Sequence, residues 1–267
     1  MINTCEHVHK AAPPRVLTPK VLQAQDRIHR KVRTFLTGLG KHIASQVRGH
    51  HTKVSKANDP DNLLNLILNI DWEPLVDDLE PDLADVAQDS STHALAQVNV
   101  SDNELISSAN DVAGNWAHDR AAELVGMKWD DAGNLIENPD AKWAISDTTR
   151  DDIRQLVTDA FSEDTPIEDL ADQIQEAGTF SDYRAEMIAR TETSLAQGQG
   201  NLAGWGASGV VQGVEWRTSS DHDEDSPCDC SDNEDDSPYA LDDVPDFPSH
   251  PNCWCSLIPV LIPESEL

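Results

Sequence analysis

Two short stretches near the end of the chain decide how its C-terminal part is expected to fold: CDC at residues 228–230 and HPNCWC at residues 250–255. Two tight pairs of thiol and imidazole ligands, separated by a loop, suit a tetrahedral ion such as zinc, because each pair holds one side of the ion. The pattern therefore predicts a metal clip across residues 228–255, with a structural zinc as its cofactor. The candidate ligands are Cys228, Cys230, His250, Cys253 and Cys255.

Other arrangements of the same residues stay open at this point. The cysteines of the first pair could form disulfides with those of the second, or all four could be free thiols. Five candidate ligands also exceed the four positions of a tetrahedral site. A catalytic zinc would need a nearby base and a substrate pocket, and the sequence contains no His-Glu-x-x-His motif.

The charge of the chain is strongly negative. Its formal net charge is −30 and its isoelectric point is about 4.3. Such a surface stays hydrated in concentrated salt, where the Debye length falls to about 3 Å at 1 M. We interpret this composition as that of a protein from a salt-loving host. The alternative is an ordinary acidic protein.

Positive charge is concentrated at the N-terminal end. Residues 1–56 carry eleven Lys and Arg side chains against two acidic ones, a net of +9, and the remaining residues carry a net of −39. This segregation predicts an anionic partner, which could be nucleic acid, another acidic protein or the acidic body of the same chain. The candidate contacts are Arg27, Arg30, Lys31, Lys41 and Arg48.

The rest of the pattern predicts a mainly α protein, with a helical body and a small C-terminal β element closed by the metal clip. Thr18 and Pro19 are typical of a helix start, and apolar residues then follow at helical spacing from Ile28 to Val47. Residues 214–218 and 256–260 are expected as two neighbouring strands. The expected organisation is a flexible arm at 1–17, a basic amphipathic helix at 18–56, a helical body at 57–205, and a strand with the clip and an acidic loop at 206–267.

Membrane insertion and secretion are not expected. The longest apolar stretch, residues 63–68, is too short to span a bilayer, and the N-terminus lacks the apolar core of a signal peptide. We therefore expect synthesis and assembly in the cytoplasm. A reducing compartment favours metal over disulfides for the clip.

Three segments in a fixed order resemble a known family. They are YRAEMIARTET at 183–193, VEWRT at 214–218 and HPNCWC at 250–255. In this order and spacing they resemble the phage Mu F-like minor head proteins, also called phage head morphogenesis proteins, over roughly residues 100–262. The family has a Cys-Pro-x-Cys pair where this chain has PCDC at 227–230, with a spacer of one residue.

The resemblance implies a structural protein of a tailed virus and not an enzyme. Family members lie inside or at the neck of the virus head, associate with the portal protein and other head proteins, and act in head assembly and in genome packaging or ejection. Contact with packaged double-stranded DNA is possible. Together with the acidic composition, this indicates a tailed virus or provirus of a halophilic archaeon. The apolar stripe of the basic helix is then expected to dock on the portal or on another copy of the chain.

The remaining candidate residues are interpreted as structural. An Arg–Glu pair on a helix is more often an ion pair or hydrogen-bond hub than an active site. Trp216 and Trp254 are expected to pack the β element onto the helical body. The alternative function is a metal-dependent nuclease or other enzyme that uses the C-terminal Cys/His/Asp cluster, in which Asp221, His222 and Asp223 could bind a divalent cation for phosphodiester cleavage. The structural candidates are Arg184, Glu186, Arg190, Glu192, Trp216 and Trp254.

Overall fold

The computed structural model describes residues 17–51, 60–163, 165–219 and 228–265. Within them the protein is mainly helical, as predicted, with a small sheet near the C-terminus. The helices are α1 (Pro19–His51), α2 (Pro60–Ile67), α3 (Glu73–Gln97), α4 (Asn103–Glu123), α5 (Ile145–Ser162), α6 (Ile167–Glu176), α7 (Asp182–Ser208) and α8 (Cys230–Asp235). The strands are β1 (Met127–Trp129), β2 (Leu135–Glu137), β3 (Val211–Arg217), β4 (Tyr239–Ala240) and β5 (Ser256–Leu261).

The chain divides into two compact units, each built from separate stretches of sequence. The first unit contains the described parts of 1–28, 80–118 and 187–267. The second contains the described parts of 29–79 and 119–186. The expected flexible arm lies outside the described residues, except for residue 17. None of the described helices is long and apolar enough to cross a membrane.

The first unit contains the C-terminal sheet, in which β3 is central and pairs antiparallel with β4 and β5. Both strands expected from the sequence are present, and Trp216 lies opposite Leu257 in their register. Trp216 is fully buried, and its ring meets the edge of Phe247 with 5.0 Å between ring centroids. The expected acidic loop is interrupted by α8 and β4, which the density of acidic residues did not predict.

Two glycines let α7 approach α3 closely in the first unit. A Cβ on Gly200 would overlap the carbonyl oxygen of Ala87, and one on Gly204 would overlap that of Ser91. The obstacle in both cases is backbone, which cannot rotate away as a side chain does. These glycines therefore permit the contact between the two helices on which the sheet packs.

We expect Gly200→Ala to lower the free energy of unfolding by about 1–3 kcal/mol, the usual range for an overpacked core. Gly206→Ala is the matched control on the same helix, because no atom lies within 4 Å of its added Cβ. Because Ala has a better helix propensity than Gly, Gly206→Ala should leave the free energy of unfolding unchanged or raise it by up to about 1 kcal/mol. Denaturant unfolding of both variants measures the difference. Equal stability of the two variants would contradict the close approach at Gly200.

The second unit contains most of α1, whose apolar stripe is buried. Val32 and Ile43 are fully buried, and Leu39 is 9% exposed. Phe35 is half-buried and lies against Trp72, with 5.3 Å between ring centroids. The expectation that this stripe docks on the portal or on another copy is therefore wrong, because the folded chain itself already covers it.

The second unit also includes a hairpin, formed by β1 and β2. Met127 pairs with Glu137 and Trp129 with Leu135. The connecting turn is held by Asp130, whose carboxylate accepts hydrogen bonds from the backbone N–H groups of Ala132 and Asn134. These bonds to the charged form lower the pKa of Asp130.

Candidate metal centre

The five candidate ligands come from two short segments in the first unit. Cys228 and Cys230 lie at the start of α8, where Cys230 is the first helical residue. His250 and Cys253 lie in the loop that leads into β5, and Cys255 is the last residue before this strand. Since β3 pairs with β5, the sheet holds one end of this loop in place.

The side chains of these residues converge, with Cys230 at the centre. The ligand atoms of Cys228, Cys230 and His250 lie within 4.8 Å of one another, and so do those of Cys230, Cys253 and Cys255. The sulfur atoms of Cys230 and Cys253 are 3.8 Å apart. A tetrahedral zinc with Zn–S bonds of about 2.3 Å would place two ligand sulfurs about 3.8 Å apart. The donor set and this spacing both fit a thiolate-bound metal.

The cluster is almost completely enclosed. Cys230, Cys253 and Cys255 are at most 2% exposed and His250 is 7% exposed, whereas Cys228 is half-buried. A cavity of about 510 Å³ in the same unit is lined in part by Trp205, Phe247 and Leu257, and none of the five ligands lines it. Closed thiolate sites are typical of structural zinc, whereas catalytic zinc keeps one position open to substrate.

The orientation of His250 suits a ligand. Its Nδ1 lies 2.8 Å from the carbonyl oxygen of Pro251, which can only accept, so Nδ1 carries the hydrogen. The lone pair of the neutral ring is then on Nε2. Metal-binding histidines usually donate their other ring N–H to a carbonyl or carboxylate in this way, which sets the tautomer and the ring orientation.

The cysteines and the histidine also shift one another's acidity. Hydrogen bonds from Cys230 and Cys255 lower the pKa of Cys253, and the resulting thiolate raises the pKa of Cys230. The pKa of Cys255 rises to about 12, because the Cys253 contact and burial outweigh the opposing hydrogen bond from Cys230. Burial lowers the pKa of His250, but the hydrogen bond and the charge of Cys253, together with smaller contributions from Pro251 and Cys228, outweigh it and raise this pKa to about 9. Since a metal needs deprotonated ligands, its binding would displace these protons.

No disulfide joins the four cysteines in the described part of the chain. Cys228, Cys230, Cys253 and Cys255 all carry thiol groups that are not oxidised to disulfides. The thiols are therefore placed where a metal could join them, and the alternative of thiols without a metal stays open. The fifth cysteine, Cys5, lies outside the described residues, as do Asp221, His222 and Asp223 of the nuclease alternative.

Helix α7 contacts the loop that carries three of the ligands. Arg190 donates a hydrogen bond from Nη1 to Asn252 Oδ1 at 2.9 Å, and its guanidinium carbon lies 4.9 Å from the ring centroid of Trp254. The backbone N–H of Asn252 donates to Thr191 Oγ1 at 2.9 Å. Sequence reasoning missed Thr191 and Asn252. The position of Asn252 between His250 and Cys253 was the available signal, because Asn tolerates tight turns.

The other structural candidates lie at separate places on α7. Glu192 is 2% exposed, and Glu186 is exposed. Arg184 belongs to the second unit, where it donates to the hydroxyls of Thr148 and Thr179. Burial lowers the pKa of this arginine.

The basic residues of α1 do not form one continuous cationic face. Arg27 pairs with Asp82 and Asp85 in the first unit, at 2.5 and 2.9 Å. In the second unit Arg48 pairs with Glu168 and Asp172, at 3.2 and 2.5 Å. Of the three partners left open by the sequence, the acidic body of the same chain therefore engages at least these two arginines.

The remaining basic candidates all lie in the second unit. Lys31 donates a hydrogen bond to the carbonyl oxygen of Asp78 at 2.6 Å. Arg30 and Lys41 are exposed on α1.

Comparison with known families bears on the segment that carries this cluster. Residues 151–258 match the family described as Phage Mu protein F like protein. The match supports the phage Mu F-like family, covers less than half of the chain, and includes all five candidate ligands together with Arg190 and Asn252. It supports a phage head morphogenesis protein found in the virion with other head components. No curated protein and no solved structure matches the chain.

Proposed function

We propose that this chain is a structural minor head protein of a tailed virus, which associates with the portal and acts in head assembly and in genome packaging or ejection. The observation that carries the proposal is the phage Mu F-like segment at 151–258, because it contains the whole Cys/His cluster and the α7 residues that contact it. In this role the protein is not an enzyme.

A structural zinc in the metal clip is part of the proposal. Three buried thiols, an oriented imidazole and the 3.8 Å sulfur spacing support it. When bound, the ion would cross-link α8 to the loop before β5. Cys230, His250, Cys253 and Cys255 would hold it, with Cys228 as a replaceable fifth thiol at the rim. The burial of Cys230, Cys253 and Cys255 argues against the nuclease alternative, because a catalytic ion keeps one position open to substrate.

The halophilic archaeal origin and the contact with DNA are further parts of the proposal. The net charge of −30 supports the origin. Ion pairs at Arg27 and Arg48 direct these residues toward the chain itself, so any contact with packaged DNA would fall on exposed residues such as Arg30 and Lys41. Such contact would be weak in molar salt, because release of counterions then contributes little affinity.

The function is tested on virus particles induced from the source organism. We expect quantitative mass spectrometry to detect the chain in purified full heads and in the portal-containing fragments obtained when these heads are disrupted. The lysate from which the particles have been removed should contain much less of it. The purified protein should leave supercoiled DNA intact in Mg²⁺ and Zn²⁺. Absence from particles would contradict the structural role, and DNA cleavage that Cys230→Ser removes would favour the nuclease alternative.

A further inference from the structure

Two neighbouring residues of α7, Arg190 and Thr191, together hold both the side chain and the backbone of Asn252. Arg190 donates to the side-chain carbonyl of Asn252. The Thr191 hydroxyl donates its hydrogen to the carbonyl oxygen of Met187 at 2.8 Å, which leaves its lone pairs free to accept the Asn252 N–H. The first bond is made to the side chain of Asn252 and the second by its backbone N–H. Asn252 therefore cannot rotate about one of these bonds without breaking the other.

The conformation of Asn252 decides where the ligands on either side of it point. Its φ is 61°, in the left-handed region that few side chains adopt and that Asn adopts more readily than most. Asn252 lies between His250 and Cys253. A return to the extended region would turn the chain there and separate these two ligands.

Arg190 also fixes the next turn of the loop. Its guanidinium lies over the ring of Trp254, which stands between Cys253 and Cys255. Trp254 is only half-buried, so the guanidinium covers a ring face that would otherwise meet water. Arg190 therefore contacts both Asn252, which lies directly before Cys253, and Trp254, which lies between Cys253 and Cys255.

We propose that Arg190 and Thr191 are positioning residues for the metal clip. They set the backbone at Asn252 and the ring of Trp254 so that His250, Cys253 and Cys255 converge on Cys230 before an ion arrives. This inference rests on the proposed metal site. Loss of outer partners that orient metal ligands typically lowers metal affinity by about 10–100-fold, and we expect a loss in this range for Arg190→Ala and for Thr191→Val.

The first measurement is the affinity of the full chain for Zn²⁺, obtained by competition with a chromophoric chelator. Arg154→Ala is the matched control, because it removes the same charge from an exposed arginine that pairs only locally with Asp151. It should bind Zn²⁺ like the unmodified chain. Arg190→Lys should recover part of the affinity, since an ammonium group can still lie over Trp254 and donate one hydrogen bond. Unchanged affinity in both Arg190→Ala and Thr191→Val would overturn the inference.

The second measurement needs no metal. In the metal-free chain, alkylation of Cys253 and Cys255 should be faster in Arg190→Ala than in Arg154→Ala, because the loop is no longer held closed. If the unmodified chain binds no Zn²⁺ but this acceleration is seen, the metal proposal fails and the positioning role stands. If alkylation rates are equal, the positioning role fails whether or not the chain binds Zn²⁺. Should Arg190→Ala not fold, Thr191→Val and Arg190→Lys provide the same comparison.

Discussion

Cys230→Ser is expected to abolish zinc binding, whereas Cys228→Ser is expected to retain it. Cys230 belongs to both groups of converging ligands and is completely buried, so no other side chain can take its place. Cys228 belongs to one group only and is half-buried. Four ligands remain without Cys228, enough for a tetrahedral site. Elemental analysis should find about one zinc per chain in the unmodified protein and in Cys228→Ser, and close to none in Cys230→Ser.

Loss of the ion should also loosen the region that it cross-links. Folding of small metal-bound segments depends on the binding free energy of the ion. Hydrogen exchange should therefore accelerate in α8 and in residues 247–255 of Cys230→Ser, and much less in the helices of the second unit. Equal zinc content in the two variants would show that Cys230 is not the shared ligand. Absence of zinc from the unmodified protein would remove the ion from the proposal altogether.

Trp216→Ala is expected to lower the free energy of unfolding by about 3–5 kcal/mol, the usual cost of truncating a buried aromatic side chain. Trp216 is completely buried, contacts Phe247 and lies opposite Leu257 in the sheet. Phe247 in turn packs directly on Gly198 of α7. The measurement is denaturant unfolding in molar salt, where the repulsion among carboxylates is screened.

The control for this prediction is Ile258→Ala on the adjacent residue of β5. Ile258 is 44% exposed and lies opposite Glu215, on the other face of the sheet from Trp216. Its truncation should cost well under half as much, because it leaves no cavity. A similar cost for the two variants would mean that the stability of the sheet does not depend on the core around Trp216.

The two effects are expected to be partly coupled. Trp216 and the cysteines of the clip belong to one buried cluster, together with Trp205 and Leu257. Removal of Trp216 should therefore also weaken zinc binding, since residues that share a packed cluster do not act independently. Helix α7 reaches the same region through Arg190 and Thr191. Stability and metal binding are thus two properties of one small core.

The amino-acid sequence by itself determined the class of fold, the phage Mu F-like segment and the set of candidate ligands. Helical spacing of apolar residues predicted α1, alternation predicted β3, and the paired cysteines predicted the metal clip. These features are local, because each depends on residues a few positions apart. The ligand set could be named without a fold, since thiol and imidazole groups in tight pairs have few other roles in a reducing compartment.

Only the tertiary structure decided which of these residues meet and what the basic helix faces. The central place of Cys230, and the contact of Arg190 with Asn252 across 62 positions of sequence, depend on how α7, α8 and the loop before β5 pack. The apolar stripe of α1 was predicted correctly, but its burial within this chain was not. An amphipathic pattern shows that one face of a helix will be buried, but it does not show against what. The hydrophobic effect has no direction and does not distinguish one apolar partner from another, so the packing of the whole chain decides which residues bury that face.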